Sequence, residues 1–189
     1  MREALSLAFK FMMINELEFT GCFEIIPKIF KDDRGSFVKT YHESIFLENG
    51  IEFITKEEFY STSKKNVFRG LHFQSPPAAH NKLVYCAKGE VTDFLVDLRK
   101  KSPTYGRSLS FCLSEDNGRI LYIPIGIAHG FLSISDDSLM VYKTDHVYSP
   151  EEDSGILWSS CDLGLSSKEL IISERDQKFQ SIHDFRSPF

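Results

Sequence analysis

The segment NVFRGLHFQSPPAAHNKLV sets Arg69, His72 and Lys82 on or beside two apolar runs joined by a proline-rich turn. Strands that pack into a hydrophobic interior seldom carry such groups, because burying an unpaired charge is costly. Arg69 and Lys82 are therefore expected to face a polar cavity, which in a β-rich protein is a natural ligand site. An imidazole there titrates near neutrality and can move protons. The competing reading makes each residue an exposed edge-strand charge, and their joint occurrence weakens it. IPIGIAHGFLSI adds His129, set between small residues, and SLMVYKTDHVYSP adds Tyr142 at the end of an apolar run. Taken singly, either fits a ligand contact or a buried side chain that merely satisfies a backbone group.

From Phe23 to Val147 the apolar runs are short and rich in β-branched and aromatic residues, as in FEIIPKIF, RSLSFCLS and ILYIPIGIAHGFLSI. They read as strands. Turn-forming clusters such as KDDRGS, AKGE and SEDNG separate them at the spacing of a sandwich or barrel. Helix is expected only at the flanks, over HESIFLENG and over SSKELIISERDQKFQSI, where Ser166 or Ser167 would cap. Periodicity alone leaves an immunoglobulin-like sandwich and a jelly roll both open.

A chain of 189 residues with 42% hydrophobic and 26% charged residues can bury one sizeable core, so a single soluble domain is expected over residues 13–189. Residues 1–12 are expected to form a flexible extension, since Met12 and Met13 stand just before the first strand pattern. Lys10 interrupts the opening apolar run, and neither a signal core nor a membrane-spanning stretch follows. The net charge of -5 argues against general affinity for nucleic acid. Four scattered cysteines, Cys22, Cys86, Cys112 and Cys161, lack the spacing of a metal site and read as thiols of a reducing cytoplasm.

Read in order, DDRGSF, FRGLHFQSPP, KLVYCAKGEVTDFLVDLRKKSPTYG, IPIGIAHGF and VYKTDHVYSPEED resemble the dTDP-4-dehydrorhamnose 3,5-epimerase family, from about Lys31 to Asp153. The spacing agrees too: Lys82 lies ten residues after His72, and Tyr142 seventy after it. The resemblance implies an all-β, cupin-type jelly roll that pairs as a homodimer. It further implies a cofactor-free, metal-free isomerase acting on a nucleotide-diphosphate sugar, in deoxysugar and surface-polysaccharide biosynthesis. By that resemblance His72 is the base, Tyr142 the opposing acid, Lys82 the cation beside the keto oxygen, and Asp176 the carboxylate that orients His72. Arg34, Arg69 and His129 match positions that contact the substrate. A carbon-bound proton next to a ketone becomes removable once the charge that moves onto oxygen is stabilised, and inversion needs a second group on the opposite face.

Three positions depart from the family pattern in the nucleotide half of the site. Lys39 stands where an acid is usual, and Glu57 and Phe59 replace a Gln-x-Asn pair. Lys39 and Glu57 are expected either to pair with each other or to suit a different base or sugar. His80 replaces a polar amide residue just before Lys82. The alternative function is a single-centre 3- or 5-epimerase on another nucleotide sugar, such as a CDP-linked 4-keto-dideoxyhexose. A metal-dependent cupin using His72, His80 and His129 lacks a His-x-His pair. A non-catalytic sugar-binding module would have no use for the base, acid and cation.

Overall fold

The computed structural model describes residues 11–166 and 169–189. Strands β1 (Met12–Glu16), β2 (Phe23–Pro27), β3 (Ile29–Asp32) and β4 (Gly35–Val38) precede helix α1 (Glu43–Glu48). Then follow β5 (Glu57–Ser63), β6 (Val67–Gln74), β7 (Lys82–Lys88), β8 (Glu90–Asp97), β9 (Ser108–Ser114) and β10 (Ile120–Ile123). The last strands are β11 (Ile127–Ser133), β12 (Ser138–Thr144), β13 (Asp153–Gly155) and β14 (Ile171–Ile172). One large sheet runs β1-β2-β10-β7-β12-β5 and a second β13-β6-β11-β8-β9, with β14 added along β6, while β3 and β4 pair in a separate two-stranded sheet. The expected all-β jelly-roll architecture is thus present, as two packed sheets.

The alternation of side chains along each strand decides what faces what. On β7, Val84 and Cys86 enter the core between the sheets, whereas Leu83 and Tyr85 pack outward against Ile45 and Phe46 of α1. On β8, Val91 and Leu95 point inward, while Phe94 and Val96 meet Ile156, Trp158 and the C-terminal segment on the outer face. Lys82 shares the inward parity of Val84, and Tyr142 that of Met140, so both are aimed between the sheets.

Two expectations change. The boundary placed after residue 12 falls inside a strand: Met12 is buried and pairs with Pro27, while residues 1–10 lie outside the described ones. Among the described residues the C-terminal helix does not form. Ile171 and Ile172 pair in parallel with Val67 and Phe68, and only a 3-10 turn, Asp176–Lys178, follows. Serine capping and early acids suggest a helix locally, but two β-branched residues beside an open strand edge gain more by joining it; Ser167 lies outside the described residues. The helix over HESIFLENG is there as α1.

Candidate active site

A cavity of about 370 Å³ opens between β5, β12 and β7 of the first sheet and β6 and β11 of the second. Its walls include His72, Lys82, Tyr142, Arg69, His129, Glu57, Phe59 and His80. Eight of the residues singled out from the sequence therefore meet in one place.

His72 projects from β6 and its Nε2 lies 2.8 Å from Oδ1 of Asp176, which the 3-10 turn carries across to it. Burial by itself would raise the Asp176 pKa; the His72 hydrogen bond, the His72 charge and the Gly70 N–H together outweigh it and hold the carboxyl below its ordinary value. An ionised carboxylate only accepts, so His72 Nε2 carries a proton, and in the neutral form of the ring Nδ1 is the nitrogen that keeps the lone pair. The other Asp176 oxygen accepts from Gly70 N at 3.1 Å. Gly70 is required there: its φ is +138°, and a Cβ would come within 2.6 Å of the Gly130 Cα.

Lys82 begins β7, and its Nζ donates to the His72 carbonyl at 3.2 Å. Burial lowers its pKa to about 8, with Asp153 and Asp93 pulling the other way. Tyr142 stands on β12 with its hydroxyl 3.4 Å from Ser61 Oγ, and burial raises its phenol above the usual value. The phenol stays protonated and is suited to give a proton rather than take one. Arg69 donates from Nε to Ser63 Oγ at 2.9 Å and from Nη2 to the Thr62 carbonyl at 3.1 Å, which ties its guanidinium to the far end of β5. His129 pairs with Asp93 at 2.7 Å. Burial, with Lys82 nearby, lowers His80 to about 4, so it adds an uncharged imidazole to the wall.

Arg34 and Lys39 are not brought into this cavity. Arg34 lies on the β3–β4 hairpin, 90% exposed, with Nη2 2.5 Å from Asp32 Oδ2. A short hairpin satisfies an arginine locally when an aspartate sits two residues before it. Lys39 does not pair with Glu57: its ammonium lies 4.1 Å over the Phe11 ring, and Glu57 accepts from the Tyr148 backbone N–H at 2.6 Å. His72, His80 and His129 all line the cavity but are not grouped as metal ligands; among the described residues no three His, Cys, Asp or Glu side chains are grouped to hold a metal.

Several wall residues were not anticipated. Asp153 and Arg175 pair at 2.7 Å, and Tyr148 donates its hydroxyl to Asp153 at 3.1 Å. Nothing local marks Arg175 beyond its place beside Asp176. Asp93, buried behind the wall as the partner of His129, had a signal, an acid inside the apolar run VTDFLVDL, the same kind of anomaly that exposed Arg69 and Lys82.

The sequence pattern of the dTDP-4-dehydrorhamnose 3,5-epimerase family matches residues 16–184. The enzyme of that name from Methanothermobacter thermautotrophicus is 42% identical over 169 residues, covering 87% of this chain and 91% of its own. A solved dTDP-6-deoxy-D-glucose-3,5-epimerase from Legionella pneumophila, in complex with dTDP-4-keto-L-rhamnose, superposes with a TM-score of 0.86 at 33% identity, over 92% of this chain and 95% of that one. A 3'-monoepimerase from Streptomyces bikiniensis, in complex with dTDP-quinovose, superposes at 0.83 with 25% identity, over 89% of this chain and 87% of that one. The chain belongs to the dTDP-4-dehydrorhamnose 3,5-epimerase family of isomerases.

Proposed function

We propose that this cavity epimerises a dTDP-linked 4-keto-6-deoxyhexose at C3 and C5, with His72 as base, Tyr142 as acid, Lys82 as the cation at the keto oxygen and Asp176 orienting His72. The observation that supports this most is the meeting of an oriented imidazole, a protonated phenol and a half-buried ammonium on the walls of one cavity. In each half of the reaction the C–H bond beside the ketone breaks and its proton passes to His72 Nδ1. The bonding electrons become an enolate whose oxygen the Lys82 ammonium stabilises. Tyr142 then gives its proton to the opposite face of the carbon. Its phenolate, disfavoured by burial, regains a proton from solvent, and His72 loses the one it took. Arg69 and Arg175 offer guanidinium groups for the diphosphate, and His129, Glu57 and Phe59 line the same space.

Incubation in heavy water with a panel of nucleotide-linked 4-keto sugars tests the reading. The expected result is solvent deuterium at the inverted carbons. His72→Asn should slow this by about 10³-fold, the range of a lost general base. Exchange should also decline as pH rises past about 8, where Lys82 loses the proton that makes it useful. No deuterium uptake with any sugar would remove the proposed activity.

We further propose that the chain works as a homodimer in the cytoplasm. Edge strand β5 exposes Tyr60 on the face away from the cavity, an apolar margin that a second copy would cover. All four cysteines are free thiols, and among the described residues no helix is long and apolar enough to cross a membrane. Light scattering decides the assembly: a mass near the 21.7 kDa of one chain would exclude the dimer.

A further inference from the structure

The wall that carries Tyr142 holds a second aromatic ring. Strands β5 and β12 pair in a register that puts Phe59 opposite Tyr142. The two rings lie within 12° of parallel with centroids 4.8 Å apart, inside the range of a favourable stack. Ser61, two residues further along the same face of β5, sets its hydroxyl 3.4 Å from the phenol oxygen. The His129 ring meets the phenol at 68° with centroids 6.0 Å apart. Phe59 is itself 47% exposed, so filling the core does not explain it. The face it turns to Tyr142 is also closed to any ligand.

We propose that Phe59 is a positioning residue for Tyr142, fixing the plane of the phenol so that its hydroxyl addresses one face of the sugar and protonation proceeds with inversion. This rests on the acid role given to Tyr142 above. Once His72 has taken the proton, the enolate has two fates. His72 can return a proton to the face it came from, which in heavy water labels the sugar without inverting it. Tyr142 can instead deliver a proton to the other face, which labels and inverts. Only the second fate depends on where the phenol hydroxyl sits, and a misplacement of about 1 Å can cost such a step up to about 10²-fold. A phenol freed from its stack should therefore leave proton removal largely intact and weaken inversion.

The test compares the unsubstituted enzyme with Phe59→Leu, which keeps an apolar side chain without the ring, and Phe59→Tyr, which keeps the ring. Each is run in heavy water with a 4-keto sugar that the unsubstituted enzyme converts. NMR reads deuterium in recovered substrate against deuterium in inverted product. Phe59→Leu should slow inversion about tenfold while exchange into recovered substrate falls much less, so that exchanges per inversion rise several-fold; Phe59→Tyr should restore the ratio. Equal losses of exchange and inversion would make Phe59 a structural support, and a higher KM with an unchanged ratio would make it a ligand contact; either overturns the proposal. A second measurement needs no substrate. With Tyr142 carrying a carbon-13 label beside its oxygen, alkaline titration by NMR should show the phenol ionising at lower pH in Phe59→Leu, where water reaches the ring. An unmoved titration overturns the positioning role. If the unsubstituted enzyme exchanges no proton with any sugar, the epimerase reading fails, and the titration still decides whether Phe59 holds Tyr142.

Discussion

Two histidine–aspartate pairs stand side by side in the second sheet, where His72 and His129 are direct partners across β6 and β11. Their hydrogen bonds are nearly equal, 2.8 Å for His72–Asp176 and 2.7 Å for His129–Asp93. Their carboxyls nonetheless shift in opposite directions. Asp176, with its His72 partner 31% exposed, is held below the usual range because His72 and Gly70 both donate to it and outweigh its burial. Asp93 is raised, because burial outweighs what the His129 bond and Lys82 return. Its Oδ1 is buried with no hydrogen-bond partner among the described residues. Bond length is thus a poor guide to what a dyad can do. The donors around the far oxygen and the access of water set the charge, and only the half-open pair combines a fixed tautomer with a route for a proton to leave.

The largest break in this comparison comes from Asp176→Asn. Asparagine has one acceptor oxygen, and the buried Gly70 N–H needs it. The amide NH₂ then faces His72 Nε2, which must accept, and the ring proton moves to Nδ1, the nitrogen that the proposed base role requires to be bare. Turnover and deuterium exchange should fall together by about 10²–10³-fold, while near-ultraviolet circular dichroism still reports a folded chain. Near-normal exchange in a folded variant would take Asp176 out of the mechanism.

How much of this was legible follows from where each signal is written. Arg69, His72 and Lys82 break apolar runs, and a broken run is local, so the strands and the cavity they face can be read directly. The alternation on β7 and β12 then aims Lys82 and Tyr142 inward without further help. Asp176 is different. Its own neighbourhood, SERDQK, looks like a solvated helix, and its burial depends on the C-terminal segment folding back over β6, which only the resemblance implied. The pairing of Ile171 and Ile172 with β6 that carries it there is a long-range event, invisible to capping rules. Arg34 and Lys39 show the converse. The family resemblance places them at the site, but nothing local says that the β3–β4 hairpin turns Arg34 toward Asp32 and solvent, or that Lys39 settles over Phe11.

Asp93→Asn should have the smaller effect and act mainly on stability. The folded chain holds the Asp93 proton to higher pH than the unfolded chain, whose carboxyl titrates near its ordinary 3.8. Stability associated with this group is therefore full below that value and is lost as pH rises through the higher folded value. Asparagine has no proton to lose and can still bond His129, so the variant should lack that slope. Denaturant midpoints at about pH 4 and about pH 7 should show the unsubstituted protein losing more stability across the interval than Asp93→Asn, with the variant at least equal at neutrality. Turnover should drop by less than tenfold, well short of the Asp176 effect, because His129 lines the cavity but is not the base in the proposed mechanism. A variant weaker at neutral pH by about 1–3 kcal/mol, the cost of an unpaired buried partner, would mean that His129 and Lys82 together compensate the Asp93 charge. The two dyads would then be electrostatically alike, and water access alone would separate the one that moves protons from the one that does not.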